Sequence, residues 1–198
     1  LHKYKIWPYL ALTLSMLCFA SNYVVGRLVP GEVPPIGLSF WRWVVAAIII
    51  LPFTWRGILE HLLLIKVNLK LYFLLTIFLV IFGNTTIYLA LNYTTAINAS
   101  IVAMAEPVVT VLLAWLFFRE KIAKSQAIGI LIGAVGVLII VLRGNILALA
   151  DVQFNLGDLW MLASVSGFAS YAVLLRKSPK QIPPLILTNI IAVLGVFF

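Results

Sequence analysis

Residues 96–118 read AINASIVAMAEPVVTVLLAWLFF. This run of 23 residues holds a single charge, Glu106, about ten residues from either end. A helix rises about 1.5 Å per residue, so the run is long enough for the roughly 30 Å hydrocarbon core of a bilayer. It is too long and too evenly apolar for a barrel strand, in which lipid-facing and lumen-facing residues alternate. Inside a bilayer every backbone N–H and C=O needs a partner within the chain, and a helix provides one segment by segment. The stretch therefore predicts a membrane-spanning helix.

Working outward, the same pattern recurs at 8–27, 36–55, 70–92, 125–142, 157–175 and 185–198. The expected fold is all-α and integral to a membrane: a polytopic bundle with six complete helices and a seventh that the sequence cuts short. Composition agrees, since 64% of the 198 residues are hydrophobic and only 10% charged, too few to cover a soluble domain of this size. Six Trp and seven Tyr suit anchoring at the two bilayer interfaces. The formal charge of +8 does not indicate nucleic acid, because the basic residues fall between apolar runs and form no stripe interleaved with aromatics. The single cysteine, Cys18, excludes a disulfide within the chain and a cysteine metal site, and is expected to be a small buried side chain. His2, Lys3 and Lys5 precede the first run as in a signal peptide, but no small-residue cleavage site follows it, so it is read as a retained span. The chain starts at Leu1 and ends at Phe198 with no flanking charge, which reads as two cuts in a longer protein.

Basic residues favour cytoplasmic loops. Lys3, Lys5, Arg56, Lys66, Lys70, Arg119, Lys121, Lys124, Arg176, Lys177 and Lys180 fall on one side of the predicted topology, and Arg27, Arg42 and Arg143 on the other. Eleven against three puts the N-terminus inside the cell, in its plasma or inner membrane.

A shift of 149 residues lays 10–49 over 159–198 without a gap. Phe19-Ala20-Ser21 meets Phe168-Ala169-Ser170, Ser15 meets Ser164, Arg27 meets Arg176, Pro30 meets Pro179, and Pro34-Pro35 meets Pro183-Pro184. Such a repeat unit holds five spans. Five is odd, so the second copy runs through the membrane in the opposite sense, as the charge assignment of Arg27 and Arg176 to opposite sides also requires. Inverted repeats are how many secondary transporters are built, and they alternate access by rocking one repeat against the other.

Glu106 is the most informative residue. A charged carboxylate at the bilayer centre costs about 2.5–3.5 kcal/mol, so it should face the bundle or a wet cavity, or carry a proton. Small residues share its face: Ala99, Ala103, Thr110 and Ala114. Two readings stand: a site for a proton or an amine-bearing solute, or a protonated carboxyl satisfied by one polar neighbour. Pro107 lacks an N–H and clashes with the carbonyl four residues back, so it should free Ala103 O and kink the helix, whether for function or for shape alone. Asn84 and Tyr88 share a face of the third span, Ser15 and Asn22 a face of the first. Polar side chains of this kind line a solute path or hydrogen-bond neighbouring helices. Arg42, between Trp41 and Trp43 near the outer end of its span, is expected to snorkel to the interface. Gly129, Gly133 and Gly136 are read as a face for close helix packing. His2 and His61 both lie outside the predicted spans and no H-E-x-x-H occurs, so no catalytic constellation, metal or cofactor is expected.

The segments Ala105-Glu106-Pro107-Val108 and Ala114-Trp115-Leu116-Phe117-Phe118-Arg119-Glu120-Lys121, followed by Gln126, Gly129 and Gly136, resemble the end of an EamA domain of the drug/metabolite transporter superfamily. Asn22 to Arg27, Pro34-Pro35 and Phe40-Trp41-Arg42 resemble its earlier part. The resemblance covers 7–142 as one whole domain and 157–198 as the start of a second. It implies ten helices in two inverted repeats around a central cavity, and a permease or exporter of amino acids, other metabolites or drugs. It also puts Pro107 and Glu120 at family motif positions, Glu120 as a structural residue. The expected partners are a small solute, the lipid bilayer, a proton as coupling ion and, as a further candidate, a second copy of the chain. A non-transporting membrane receptor or assembly module is the alternative.

Overall fold

The computed structural model describes residues 6–28, 33–119, 122–141 and 155–197. His2, Lys3, Lys5, Pro30, Glu120, Lys121 and Arg143 lie outside them. The described residues are helical, with no strand among them. In order they form α1 (Ile6–Leu28), α2 (Pro35–Glu60), α3 (Leu62–Val67) and α4 (Leu69–Thr76), a π-helical segment (Ile77–Thr85), then α5 (Thr86–Tyr93), α6 (Ala96–Ala103), α7 (Glu106–Phe118), α8 (Lys124–Val141), α9 (Leu156–Leu175) and α10 (Pro184–Gly195). Five helical stretches are long and apolar enough to span a bilayer: Ile6–Leu28, Pro35–Glu60, Leu69–Tyr93, Ala96–Phe118 and Leu156–Leu175. The protein is therefore an all-α polytopic membrane protein. Many large apolar side chains point outward, Trp7, Ile48, Phe53 and Leu131 among them, as a lipid-facing surface requires.

Two of the spans are not uniform helices. The third passes from α to π at Ile77 and returns to α at Thr86. A π segment leaves some carbonyls without their usual partners, and here side chains supply donors. Asn84 Nδ2 reaches Leu79 O at 2.8 Å, Thr85 Oγ1 reaches Val80 O at 3.0 Å, and Ser164 Oγ crosses from α9 to Gly83 O at 2.7 Å. The fourth span breaks at Met104 and Ala105, which bond back to Ile101 O and Val102 O at 3.1 and 3.0 Å. At the place where a kink is expected from Pro107, the helix tightens for two residues, Met104 and Ala105, which keep right-handed helical dihedrals. Pro107 becomes the second residue of α7, where a missing N–H does no harm.

α9 is the central helix. It packs against the π segment, α5, α6 and α7. Its approach to the π segment is close because Gly167 faces the backbone of Phe82 and Gly83, where even a Cβ would lie 2.7 Å from three atoms. Asp158 closes a capping box with Asn155 at the start of α9, at 3.0 and 3.1 Å. α10 lies along α2 and α4 in a core that includes Tyr72, Leu75, Ile186 and Ile191. Deep in that core Asn189 Nδ2 donates to Thr54 Oγ1 at 2.5 Å. α2 and α10 start alike: Pro34 and Pro183 occupy the N-cap at φ −58°, ψ 138° and φ −57°, ψ 144°, each followed by proline at the first helical position.

Candidate functional site

The polar residues of the first three spans meet at Arg42. α1 contributes Asn22, α2 contributes Arg42, and the third span contributes Asn84 and Tyr88 from either side of its π-to-α junction. Arg42 Nη1 donates to Asn22 Oδ1 at 2.7 Å and to the Tyr88 hydroxyl, and Nη2 donates to Asn84 Oδ1 at 3.0 Å. Tyr88 Oη in turn donates to Asn22 Oδ1 at 2.5 Å. Asn84 and Tyr88 are buried. Asn84 uses both ends of its amide, its nitrogen on Leu79 O within the π segment and its oxygen on Arg42. The π segment therefore orients an acceptor toward the guanidinium. Arg27, one turn beyond Asn22 on α1, donates to Leu91 O at 2.6 Å and ties α1 to the end of α5.

Snorkelling is the expectation for Arg42; its side chain is exposed, and three oxygens on neighbouring helices hold the guanidinium against the bundle.

A cleft of about 490 Å³ opens beside the cluster, lined by Ser15, Cys18, Phe19, Ser21, Asn22, Val25 and Arg42. Ser15 and Asn22 line it together, as their shared helix face predicted. Cys18, expected to be buried, is exposed on this cleft, because α1 lies at the edge of the bundle. The cleft is amphipathic: its lining combines Arg42, Asn22 and two serines with Phe19 and Val25.

Glu106 stands apart from this cluster and does not line the cleft. It is half-buried as the first residue of α7, and its carbonyl accepts from Thr110 Oγ1 at 2.8 Å. Ala99 and Ala114 on its face are buried, as the small-residue stripe implied. The buried Tyr23 of α1, adjacent to Asn22 in sequence, lies within electrostatic reach of its carboxyl. Gly129, Gly133 and Gly136 do not form the packing face expected of them among the described residues: a Cβ on any of the three would meet nothing within 4 Å. α8 touches α6 and α7 through other positions. Among the described residues no group of three His, Cys, Asp or Glu side chains is placed to hold a metal.

The model of the EamA-like transporter family matches residues 6–142. The chain belongs to the EamA-like transporter family. It is 27% identical over 190 residues to the uncharacterized transporter YyaM of Bacillus subtilis, covering 94% of this chain and 61% of that protein. It is 24% identical to the uncharacterized transporter YetK of the same organism, over 99% of this chain and 59% of that one. An uncharacterized transporter of Archaeoglobus fulgidus is 28% identical over 96% of this chain and 64% of its own length. This EamA chain thus spans about 60% of the length of these curated relatives. No solved structure matches it.

Proposed function

We propose that this EamA protein is a secondary transporter that carries a small metabolite, such as an amino acid or a drug-like amphipathic solute, outward across the plasma or inner membrane. It works by alternating access between two inverted repeats, the first over 7–142 and the second starting at 157–198, with the N-terminus in the cytoplasm. The observation that carries this reading is the amphipathic cleft beside Arg42 and Asn22, in a segment where lipid would otherwise demand apolar side chains. One structural feature supports the repeat: residues 149 apart start α2 and α10 with the same pair of prolines in the same backbone conformation. The copies have diverged elsewhere, since Ser164 of α9 bonds the π segment and its counterpart Ser15 of α1 lines the cleft. The solute path then runs along α1, and α7, starting at Glu106, is the half-helix that moves. Discontinuous helices of this kind surround the binding sites of many transporters.

Glu106 is assigned as the proton-binding group of the cycle, on its place as the one charged residue of the fourth span, half-buried at the start of α7. The test is flux of labelled amino acids in proteoliposomes holding the protein at its natural length, with an imposed pH gradient. Gradient-driven flux is expected in the wild type, and Glu106→Gln is expected to make flux independent of the gradient. Wild-type-like pH dependence in Glu106→Gln removes Glu106 from the mechanism. Absence of flux for every solute class removes the transporter reading in favour of a receptor or assembly role.

A further inference from the structure

The Arg42 cluster contains a full positive charge and no negative one. A guanidinium has five N–H donors. Three are used, two on Nη1 and one on Nη2, and all three acceptors are neutral: two amide oxygens and a phenol. Nε and the second Nη2 hydrogen remain. Among the described residues no carboxylate lies at ion-pairing distance from Arg42. Arg42 is seven residues into α2, so about 10 Å along the helix from its start at roughly 1.5 Å per residue. A cation on a membrane-spanning helix needs an anion or water beside it, and Arg42 is exposed to receive one. The neutral acceptors orient the guanidinium without cancelling its charge, and it lines the cleft.

We propose that the cleft binds the oxyanion of an amphipathic molecule, a carboxylate or phosphate seated on Arg42 Nε and Nη2, with the apolar part of that molecule against Phe19 and Val25. Arginine suits this role because its planar donors match two oxygens of one oxyanion. The Ser15 hydroxyl is a further donor on the same wall, whereas Ser21 Oγ already donates to Cys18 O at 2.8 Å. Trp43, whose ring is 6.0 Å from the guanidinium carbon, and Tyr88, at 5.8 Å, flank the cation and restrict its rotation. The assignment rests on the transporter reading only for the identity of the occupant: a solute if the cleft is a transport path, a phospholipid headgroup if it opens to the bilayer.

The test uses the purified protein at its natural length in maltoside micelles, which carry no phosphate. Thermal stability is followed against hexanoate, against its neutral isostere hexanamide, and against short-chain phosphatidylglycerol, because a ligand of the folded state raises apparent stability. Saturable stabilisation by hexanoate, at least tenfold weaker for hexanamide and at least tenfold weaker in Arg42→Gln, is the expected result and identifies a solute site. Arg42→Lys keeps the charge without the planar fork and should fall between wild type and Arg42→Gln. Arg42-dependent stabilisation by phosphatidylglycerol but not hexanoate keeps the oxyanion site and makes its occupant a lipid. Equal effects of hexanoate and hexanamide on the wild type, with no effect of phosphatidylglycerol, overturn the proposal, and that comparison needs no variant to fold. Solute flux in a protein that neither hexanoate nor phosphatidylglycerol stabilises through Arg42 defeats the oxyanion site and leaves the transporter reading standing. Hexanoate binding without flux of any solute does the reverse.

Discussion

Replacing Gly167 by alanine tests how α9 is seated. The added Cβ would lie 2.7 Å from Gly83 N, Phe82 C and Phe82 Cβ, where ordinary contact begins at 3.4 Å. α9 and the π segment must therefore part by about 0.7 Å, the difference between those two distances. None of the three atoms belongs to the flexible end of a side chain, so overpacking should cost towards the upper end of roughly 1–3 kcal/mol. The same displacement stretches the Ser164 Oγ–Gly83 O bond from 2.7 Å to about 3.4 Å, the limit of a hydrogen bond. Bonds of this kind contribute about 0.6 kcal/mol on average in a membrane, and up to about 1.7. Alanine returns roughly 0.5–1 kcal/mol as a better helix former. The net expectation is a loss of about 2 kcal/mol in unfolding free energy, measured by titrating the protein in mixed micelles with dodecyl sulfate and following far-ultraviolet circular dichroism. Ser164→Ala alone should cost about 1 kcal/mol, and the double variant less than the sum, because the bond is already lost when α9 has moved. Gly133→Ala is the control: its Cβ meets nothing within 4 Å, so stability should hold or rise. Wild-type stability in Gly167→Ala, or strict additivity with Ser164→Ala, would refute the close seating.

Three other substitutions probe separate parts of the molecule. Thr54→Val should destabilise the chain by about 1–2 kcal/mol by leaving the buried Asn189 amide without its acceptor, and adding Asn189→Leu should recover most of that loss in the same titration, since removing both polar partners is nearly neutral. Arg27→Gln should cost about 1 kcal/mol, because a cation on the last carbonyls of α5 is lost; a larger ionic-strength effect in the wild type than in the variant would support the charge as the cause. Pro107→Ala restores an N–H that can reach Ala103 O, so α6 and α7 should join; slower hydrogen exchange across 104–108 is the readout, and unchanged exchange means that the break has another cause.

The spans were legible because hydropathy and length are properties of a segment alone. Each of the seven predicted stretches overlaps an observed helix, with ends shifted by a few residues where α2 runs on to Glu60. Asn22, Asn84 and Tyr88 were legible as inward-facing polar residues, since amides do not face lipid at low cost. Their common partner was not. For Arg42, snorkelling and inward hydrogen bonding differ only in what stands beside the guanidinium, and that depends on how α1, α2 and the third span are placed. The π segment was equally hidden. Ile77 to Thr85 is mostly apolar and ordinary as sequence, and one of the donors that satisfy its carbonyls, Ser164, lies 81 positions away.

The glycines divide the two kinds of information most clearly. By itself the sequence determined an all-helical membrane protein, the polar faces of its helices and a proline that disturbs the fourth span, since bilayer thickness and backbone hydrogen bonding act on each helix separately. Gly133 and Gly167 look alike at that level, each a small residue within an apolar span. Only the tertiary structure decided that Gly167 lies against the backbone of Phe82 and Gly83, while a Cβ on Gly133 would meet nothing beyond its own helix backbone within 4 Å among the described residues. Close approach between helices depends on atoms distant in the chain, and so does the inward turn of Arg42 toward Asn22, Asn84 and Tyr88.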